Sequence, residues 1–304
     1  MWFYKMIKEE GAMVRKRKAL SYSQKRARTG YSFIAPWIVG VAILFVFPMV
    51  YSLLTSFSHI KSMSEFQLEW AGLENYKEAL LGDVNFVGYF VNSVKDAIIN
   101  LILIVSFSLL IAFFLNKKIK FRGMFRLVFF LPVILGSGFI MEQILGENVQ
   151  EQAVKVVSDV LLSSELTQKL PYTLIELIQV FLEKITVVLW SSGVQIVLFI
   201  GGLQGISEST YEAARIDGAG SWEQMWLITF PLLMPTTLLV AIYTIVDSFA
   251  SASNETLVYI VDRAFEANKY ELSAAMGWIY FGFIFVLVLC VYGIINRYIK
   301  HSFD

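Results

Sequence analysis

Residues 97–115 read Ala-Ile-Ile-Asn-Leu-Ile-Leu-Ile-Val-Ser-Phe-Ser-Leu-Leu-Ile-Ala-Phe-Phe-Leu. The run carries no charge, and only Asn100, Ser106 and Ser108 interrupt its apolar character. A helix rises about 1.5 Å per residue and the hydrocarbon core of a bilayer is about 30 Å thick, so about 20 such residues cross it. The stretch therefore predicts a transmembrane helix. Five comparable runs flank it, at 33–57, 125–145, 185–203, 225–249 and 274–295. Several contain Pro or Gly: Pro36 and Pro48, then Pro132, Gly136 and Gly138, then Pro231 and Pro235. Neighbouring helices satisfy the backbone groups that such residues free. The expected fold is an all-α polytopic membrane protein with six transmembrane helices, which puts both termini on one side.

Composition agrees. Of 304 residues, 57% are apolar and 16% charged, with a mean hydropathy of +0.62. A soluble domain carries about 25% charged residues, and a disordered chain needs low hydrophobicity with high charge. Twenty-five Lys and Arg balance twenty-five Asp and Glu, which excludes a generally basic nucleic-acid binder. One cysteine, Cys290, and two distant histidines, His59 and His301, leave no disulfide and no metal cluster to expect. No Gly-Lys dipeptide occurs, so there is no Walker-type phosphate loop. Neither a G-x-S-x-G elbow nor an H-E-x-x-H pair is present. No catalytic constellation and no cofactor on this chain are expected.

Sidedness follows from the basic residues. Arg15, Lys16, Arg17, Lys18, Lys25, Arg26 and Arg28 form a basic arm, residues 1–30. Lys117, Lys118, Lys120, Arg122 and Arg126 crowd the turn between the second and third runs. The loop after the first run carries Glu65, Glu69, Glu74, Glu78 and Asp83 instead. The termini, the 116–124 turn and the 205–224 loop are thus expected to be cytoplasmic. The first run is too long for a cleavable signal, and no small-residue cleavage site follows it. Residues 31–304 read as one six-span domain. Within it, 147–182 is an outer amphipathic segment, with Ala153, Val156, Val157, Val160 and Leu161 at helical spacing among charges. Pro171 is placed to start a further helix.

The 205–224 loop reads Gly-Ile-Ser-Glu-Ser-Thr-Tyr-Glu-Ala-Ala-Arg-Ile-Asp-Gly-Ala-Gly-Ser-Trp-Glu-Gln. Ser209 and Glu212 have capping-box spacing, as do Ser221 and Gln224. The pattern predicts about two helical turns over 211–217, ended by Gly218 in the left-handed conformation. Ala213 and Ala214 keep its surface low. By local chemistry alone this is a well-capped connector.

Glu212-Ala213-Ala214-x-x-Asp217-Gly218-Ala219, followed by Ile228-x-Phe230-Pro231-x-x-x-Pro235, resembles the EAA loop of ABC importer permeases, and more narrowly the MalF/UgpA-like permeases of carbohydrate uptake. Phe33-Ile-Ala-Pro-Trp37, Phe47-Pro48 with Ser56-Phe57, Trp70-Ala-Gly-Leu-Glu-Asn-Tyr76, the stretch Trp190 to Gln204 and Ser273-Ala-Ala-Met-Gly277 are similar to family motifs along most of the chain. Where the family often has Thr-x-Gly-Gly-Pro, this chain has Asp262-Arg-Ala-Phe-Glu-Ala-Asn-Lys-Tyr-Glu271, and 147–182 is longer and more charged than is usual. The resemblance implies that the loop helix is a cytoplasmic coupling helix, with Glu212, Ala213, Ala214, Asp217, Gly218 and Ala219 docking on an ATPase subunit. It implies a MalG-like second permease, an ATP-binding subunit dimer that holds ATP-Mg, an extracytoplasmic solute-binding protein, and a multi-pass place in the cell membrane. A sugar or oligosaccharide is the implied cargo. The alternatives are an importer for a glycerol phosphodiester or polyamine, or a self-contained secondary transporter. The near absence of charge from the run centres disfavours the last.

Polar residues within the runs mark a candidate substrate path. Asn92, Asp96 and Asn100 share one helix face. Asp96, beside Lys95 at the outer end of its run, suits an interfacial position, although an intramembrane acid is by default a functional candidate. Asn100 and Gln195 lie deeper, where they bond either a sugar hydroxyl or a neighbouring span. Asp247 and Asn254 flank the outer end of the fifth run. Asn254-Glu-Thr256 also matches a glycosylation acceptor.

Overall fold

The computed structural model describes residues 21–62, 67–116, 123, 124, 127, 171–251 and 254–303. The predicted third span at 125–145, most of the basic arm, most of the 116–124 turn and the 147–170 part of the outer segment lie outside the described residues. Residues 1–54 form one unit and 55–304 another.

In the first unit α1 (Tyr22–Val41) runs through Pro36 into a π turn, Ala42–Val46, and on into α2 (Phe47–Ser56). The Phe47 N–H reaches back to the Ala42 carbonyl. Proline lacks an N–H, and its ring clashes with the carbonyl four residues earlier. A π turn just ahead of Pro48 widens the ladder where that clash would fall. The same arrangement recurs before Pro231: α8 (Ser221–Glu223) leads into a π turn, Gln224–Thr229, and then α9 (Phe230–Ala250). Both π turns are followed by a Phe-Pro pair.

The second unit opens with a feature that the apolar pattern did not announce. An antiparallel hairpin, β1 (Ser58–Ser62) and β2 (Gln67–Trp70), follows the first span, with a register shift between Ile60 and Ser62. A short α3 (Glu74–Lys77) and a third π turn, Glu78–Gly82, lead to α4 (Val84–Asn116). The Trp70–Tyr76 motif clasps this region. Asn75, 1% exposed, donates both amide hydrogens, to the carbonyls of Ser56 and Ser58 at 3.0 Å each. Phe57 stacks on Trp70 and meets Tyr76, whose hydroxyl lies 2.8 Å from Ser56 Oγ. Gly72 takes φ +63°, so the turn between strand and helix favours glycine.

Pro171 precedes a helix as expected: α5 spans Tyr172–Ser191. It continues into α6 (Gly193–Gly205) across a 55° bend at Ser192. The run predicted at 185–203 therefore lies within a bent helix pair that begins earlier, at Tyr172. Beyond it come α7 (Glu208–Ile216), the α8–α9 span, α10 (Glu255–Phe265) and α11 (Tyr270–Phe303). Among the described residues four helical stretches are long and apolar enough to cross a membrane, at 26–56, 84–116, 221–250 and 270–299, and the bent pair is a fifth. All five predicted runs that are described fall on these helices.

Helix α4 packs against α6 and α9, and α9 against α11. Two buried clusters result. At the end that carries the hairpin, Phe86 and Ala97 of α4 meet Ile245 and Phe249 of α9, Ile260 of α10, and Met276 and Tyr280 of α11. At the end that carries the 205–224 loop, Ala112 and Leu115 meet Ile196, Phe199 and Leu203 of α6 and Leu233 and Val240 of α9. At Gly202, α6 lies close against α9: a Cβ there would stand 2.5 Å from Thr236 Oγ1. Cys290 is exposed on α11.

Candidate functional site

The loop helix α7 is built by its two ends. Ser207, with extended backbone, stands at its N-cap, and its hydroxyl lies 3.0 Å from Ser209 Oγ and 2.7 Å from Thr210 Oγ1. The helix thus starts three residues before the predicted 211, and Ser209 is inside it rather than capping it. Glu208 in the first turn and Arg215 in the last complement the helix dipole. The C-terminus is a full Schellman motif. The Ala219 N–H donates to the Ala214 carbonyl at 2.9 Å and the Gly218 N–H to the Arg215 carbonyl at 3.1 Å, with Gly218 at φ +87°. Gly218 does what its sequence position predicted. The second capping box is displaced by one residue: Glu223, not Gln224, reaches back, its carboxylate accepting the Gly220 N–H at 2.7 Å.

Of the six residues singled out here, Ala214 is buried, Ala219 half-buried, and Glu212, Ala213, Asp217 and Gly218 are exposed. Beside them Ile216 is 86% exposed. An isoleucine standing in the open among small and acidic residues is a feature that the sequence reading overlooked, although its place before Asp217-Gly218 was a cue. The sequence also gave little hint of Tyr211, whose hydroxyl lies 2.8 Å from Thr229 Oγ1 in the π turn that opens the next span.

The candidate path residues are not gathered into one pocket. Asp96 Oδ1 accepts from Lys184 Nζ at 2.8 Å, an ion pair that ties α4 to α5. The Asp96 side chain is 57% exposed, so it is a partly open tie. Gln195, fully buried, donates Nε2 to Thr244 Oγ1 at 3.2 Å across the α6–α9 contact. Among the described residues, its Oε1 and the buried Asn100 Oδ1 have no hydrogen-bond partner. Unpaired buried acceptors are uncommon because each costs its desolvation, so these two remain the polar atoms of the interior with capacity to spare.

At the hairpin end, Asp83 caps α4 by accepting from the Phe86 N–H at 3.0 Å. Its two oxygens also take the Tyr259 hydroxyl, and Arg263 Nη2 stands 3.2 Å away. Arg263 in turn donates Nε to Tyr259 Oη at 2.8 Å and lies over that ring. Burial pushes the Tyr259 phenol above its ordinary range; Arg263 opposes this and Asp83 adds to it. The Arg263 guanidinium is held higher still, first by its bond to Tyr259. Asp83 and Arg263 border a groove of about 430 Å³ that includes Glu78, Asn85 and Lys269. Next to it, Asn254 Oδ1 caps α10 and accepts from Ser93 Oγ at 3.2 Å, while Ser93 also lies 2.7 Å from Thr256 Oγ1.

No family model matches the chain. It is 27% identical over 303 residues to the arabinooligosaccharides transport system permease AraP of Bacillus subtilis, covering 93% of this chain and 91% of AraP. It is 24% identical over 291 residues to the lactose transport system permease LacF of Rhizobium radiobacter, covering 88% of this chain and 93% of LacF. The chain is a homologue of ABC importer permeases. The permease shares its fold with a chain of a bacterial ABC transporter that imports the acidic polysaccharide alginate. The TM-score is 0.67 and the identity 18%, over 90% of the permease and 96% of that chain. A second structure of a bacterial alginate transporter, in complex with its pentasaccharide-bound periplasmic protein, matches at TM-score 0.63 and 16% identity, over 91% of the permease and 96% of that chain. The curated relatives are membrane transport permeases, not enzymes.

Proposed function

We propose that this permease is one of two membrane subunits of a binding-protein-dependent importer for a sugar or oligosaccharide. The cargoes named for its relatives, arabinooligosaccharides and lactose, support that class, and a glycerol phosphodiester or polyamine is the less favoured cargo. A self-contained secondary transporter is less favoured still. The observation that carries the reading is α7, a short helix with a rigid Schellman end and an exposed face of Glu212, Ala213 and Ile216. In this reading the 205–224 loop and both termini are cytoplasmic, 1–30 is a basic arm on the lipid headgroups, and 31–304 forms six spans. Helix α7, with Asp217, Gly218 and Ala219 at its end, is the coupling helix that docks on one member of an ATPase dimer. That dimer holds ATP-Mg; this chain holds none. A MalG-like second permease completes the path, and a solute-binding protein docks on the hairpin end and the 147–182 segment. Asn100 and Gln195 face the cargo's hydroxyls, whereas Asp96 serves with Lys184 as a tie.

The chemistry asked of this chain is mechanical. ATP binding closes the ATPase pair and displaces α7, and the spans rearrange around the path. The test is uptake by the complete importer in proteoliposomes, with its binding protein first characterised by calorimetry against a panel of mono- and oligosaccharides. Glu212→Lys and Gly218→Val are expected to leave the permease in the membrane and ATP hydrolysis running while uptake falls. Normal uptake by both variants would sink the coupling assignment. Binding of a phosphodiester or polyamine, with no response to sugars, would overturn the cargo.

A further inference from the structure

Four hydrogen bonds and the backbone of the loop helix close a ring between that helix and the span that follows it. Tyr211 donates its hydroxyl to Thr229 Oγ1 at 2.8 Å, because Thr229 uses its own hydrogen on the Gln224 carbonyl at 3.1 Å. Gln224 sends its side-chain Nε2 to the Ala219 carbonyl at 2.8 Å. Ala219 returns its N–H to the Ala214 carbonyl at 2.9 Å. Ala214 lies one helical turn from Tyr211 on α7, which closes the ring through the helix backbone. Thr229 is 4% exposed and Tyr211 half-buried, so the contact is partly shielded from competing water. The π turn at 224–229 adds a fixed frame, since Pro231 just beyond it holds the widened ladder in place.

We infer that Tyr211 and Thr229 are positioning residues that make α7 and the start of the α8–α9 span move as one body. Resting on the importer reading above, this assigns the route by which a displacement of α7 enters the membrane. The glycine end alone is a single join of a few residues at one end of α7. The side-chain bond on the far side of α7 turns that join into a two-point attachment. Two attachments prevent α7 from pivoting about Gly218 when its exposed face is pushed. Chains of hydrogen bonds out of water also polarise and strengthen one another.

The experiment uses the complete importer, with Cys290→Ser as background and spin labels at Leu110→Cys and Leu227→Cys, both exposed positions at the loop end. The distance between labels is measured without nucleotide and with the ATPase pair trapped by ADP-vanadate. In the parent, trapping is expected to change this distance. In Tyr211→Phe and in Thr229→Val the change should shrink by about two- to tenfold, the factor that one hydrogen bond supports, with the resting distance kept. Thr229→Ser, which retains the hydroxyl, should restore it. A full nucleotide-dependent change in both Tyr211→Phe and Thr229→Val would overturn the assignment and leave the importer reading standing. Absence of any change in the parent would overturn the importer reading, and the assignment with it, before the variants are compared.

Discussion

Tyr259 donates its hydroxyl to the carboxylate of Asp83, 2.8 and 2.9 Å from the two oxygens and 176 residues away in sequence. The bond joins the cap of α4 to the helix between the last two spans. Tyr259→Phe removes a donor from a carboxylate whose side chain is only 10% exposed. It should cost about 1.5–3 kcal/mol, the range for hydrogen bonds to charged groups, and lower the melting temperature of the detergent-solubilised permease.

The same tie sets a pH expectation. The Tyr259 phenol is raised in the folded chain above its ordinary value of 10.0, chiefly by burial. A raised pKa means that the native state favours the protonated phenol. Its contribution is whole below about 10 and is lost as pH climbs through the folded value. A melting series from pH 7 upward should show a loss above about pH 10 that is smaller in Tyr259→Phe. Equal losses in parent and variant would remove Tyr259 from the account.

Gly202→Ala should drive a methyl group into Thr236 and Leu233 and cost about 1–3 kcal/mol by overpacking. Thr236→Ala makes room, so the double variant should recover most of that loss. Guanidinium or thermal unfolding of the two single variants and the double in one detergent measures the coupling.

Asn75→Ala strips two hydrogen bonds from the hairpin clasp. The expected loss is about 1–3 kcal/mol, because the Ser56 and Ser58 carbonyls are left without this donor. Faster amide exchange over 58–70, with the α4–α9 contact unaffected, is the local signature.

Gly218→Val places a β-branched residue at φ +87°, a conformation that costs an ordinary residue at least about 1–2 kcal/mol. The Schellman bonds should weaken, and amides 214–219 should exchange faster than in the parent. Unchanged exchange there would show that glycine is not required.

The spans were legible because a bilayer demands one simple thing of a sequence, an uncharged run of sufficient length; 97–115 is the clearest case. Their ends were not. Val84 to Asp96 belongs to the same helix as Ala97, yet it is polar enough to read as loop, because it packs on protein and faces the hairpin end. The bend at Ser192 was signalled only by Ser191-Ser192-Gly193, a short polar and glycine break in the apolar run, which the span reading passed over. The hairpin at 58–70 was missed because its strands are short and half polar. In the loop, the glycine that ends α7 was readable from Asp217-Gly218, whereas the caps were each placed one or two residues late. Serine and glutamate spacing is degenerate here: Ser207, Ser209 and Ser221 all offer it, and only tertiary placement chooses. Tyr211–Thr229 and Asp83–Tyr259 join residues 18 and 176 positions apart, and no local pattern carries such pairs.

Asn254 is fully engaged: Oδ1 caps α10 and accepts from Ser93, and Nδ2 donates to the Ser248 carbonyl at 3.3 Å. It also begins an Asn-Glu-Thr triplet. A eukaryotic expression host that attaches glycans to translocated chains would modify that nitrogen before α10 had docked, and the bulky sugar would then occupy the place of the Ser248 carbonyl. Removing the triplet through Thr256 is no remedy, because its hydroxyl is buried against Ser93. Asn254→Asp keeps the capping oxygen but replaces the donor to Ser248 with a second carboxylate oxygen that faces its carbonyl. In a glycosylating host, Asn254 is thus the amide at which a glycan and the native fold would compete.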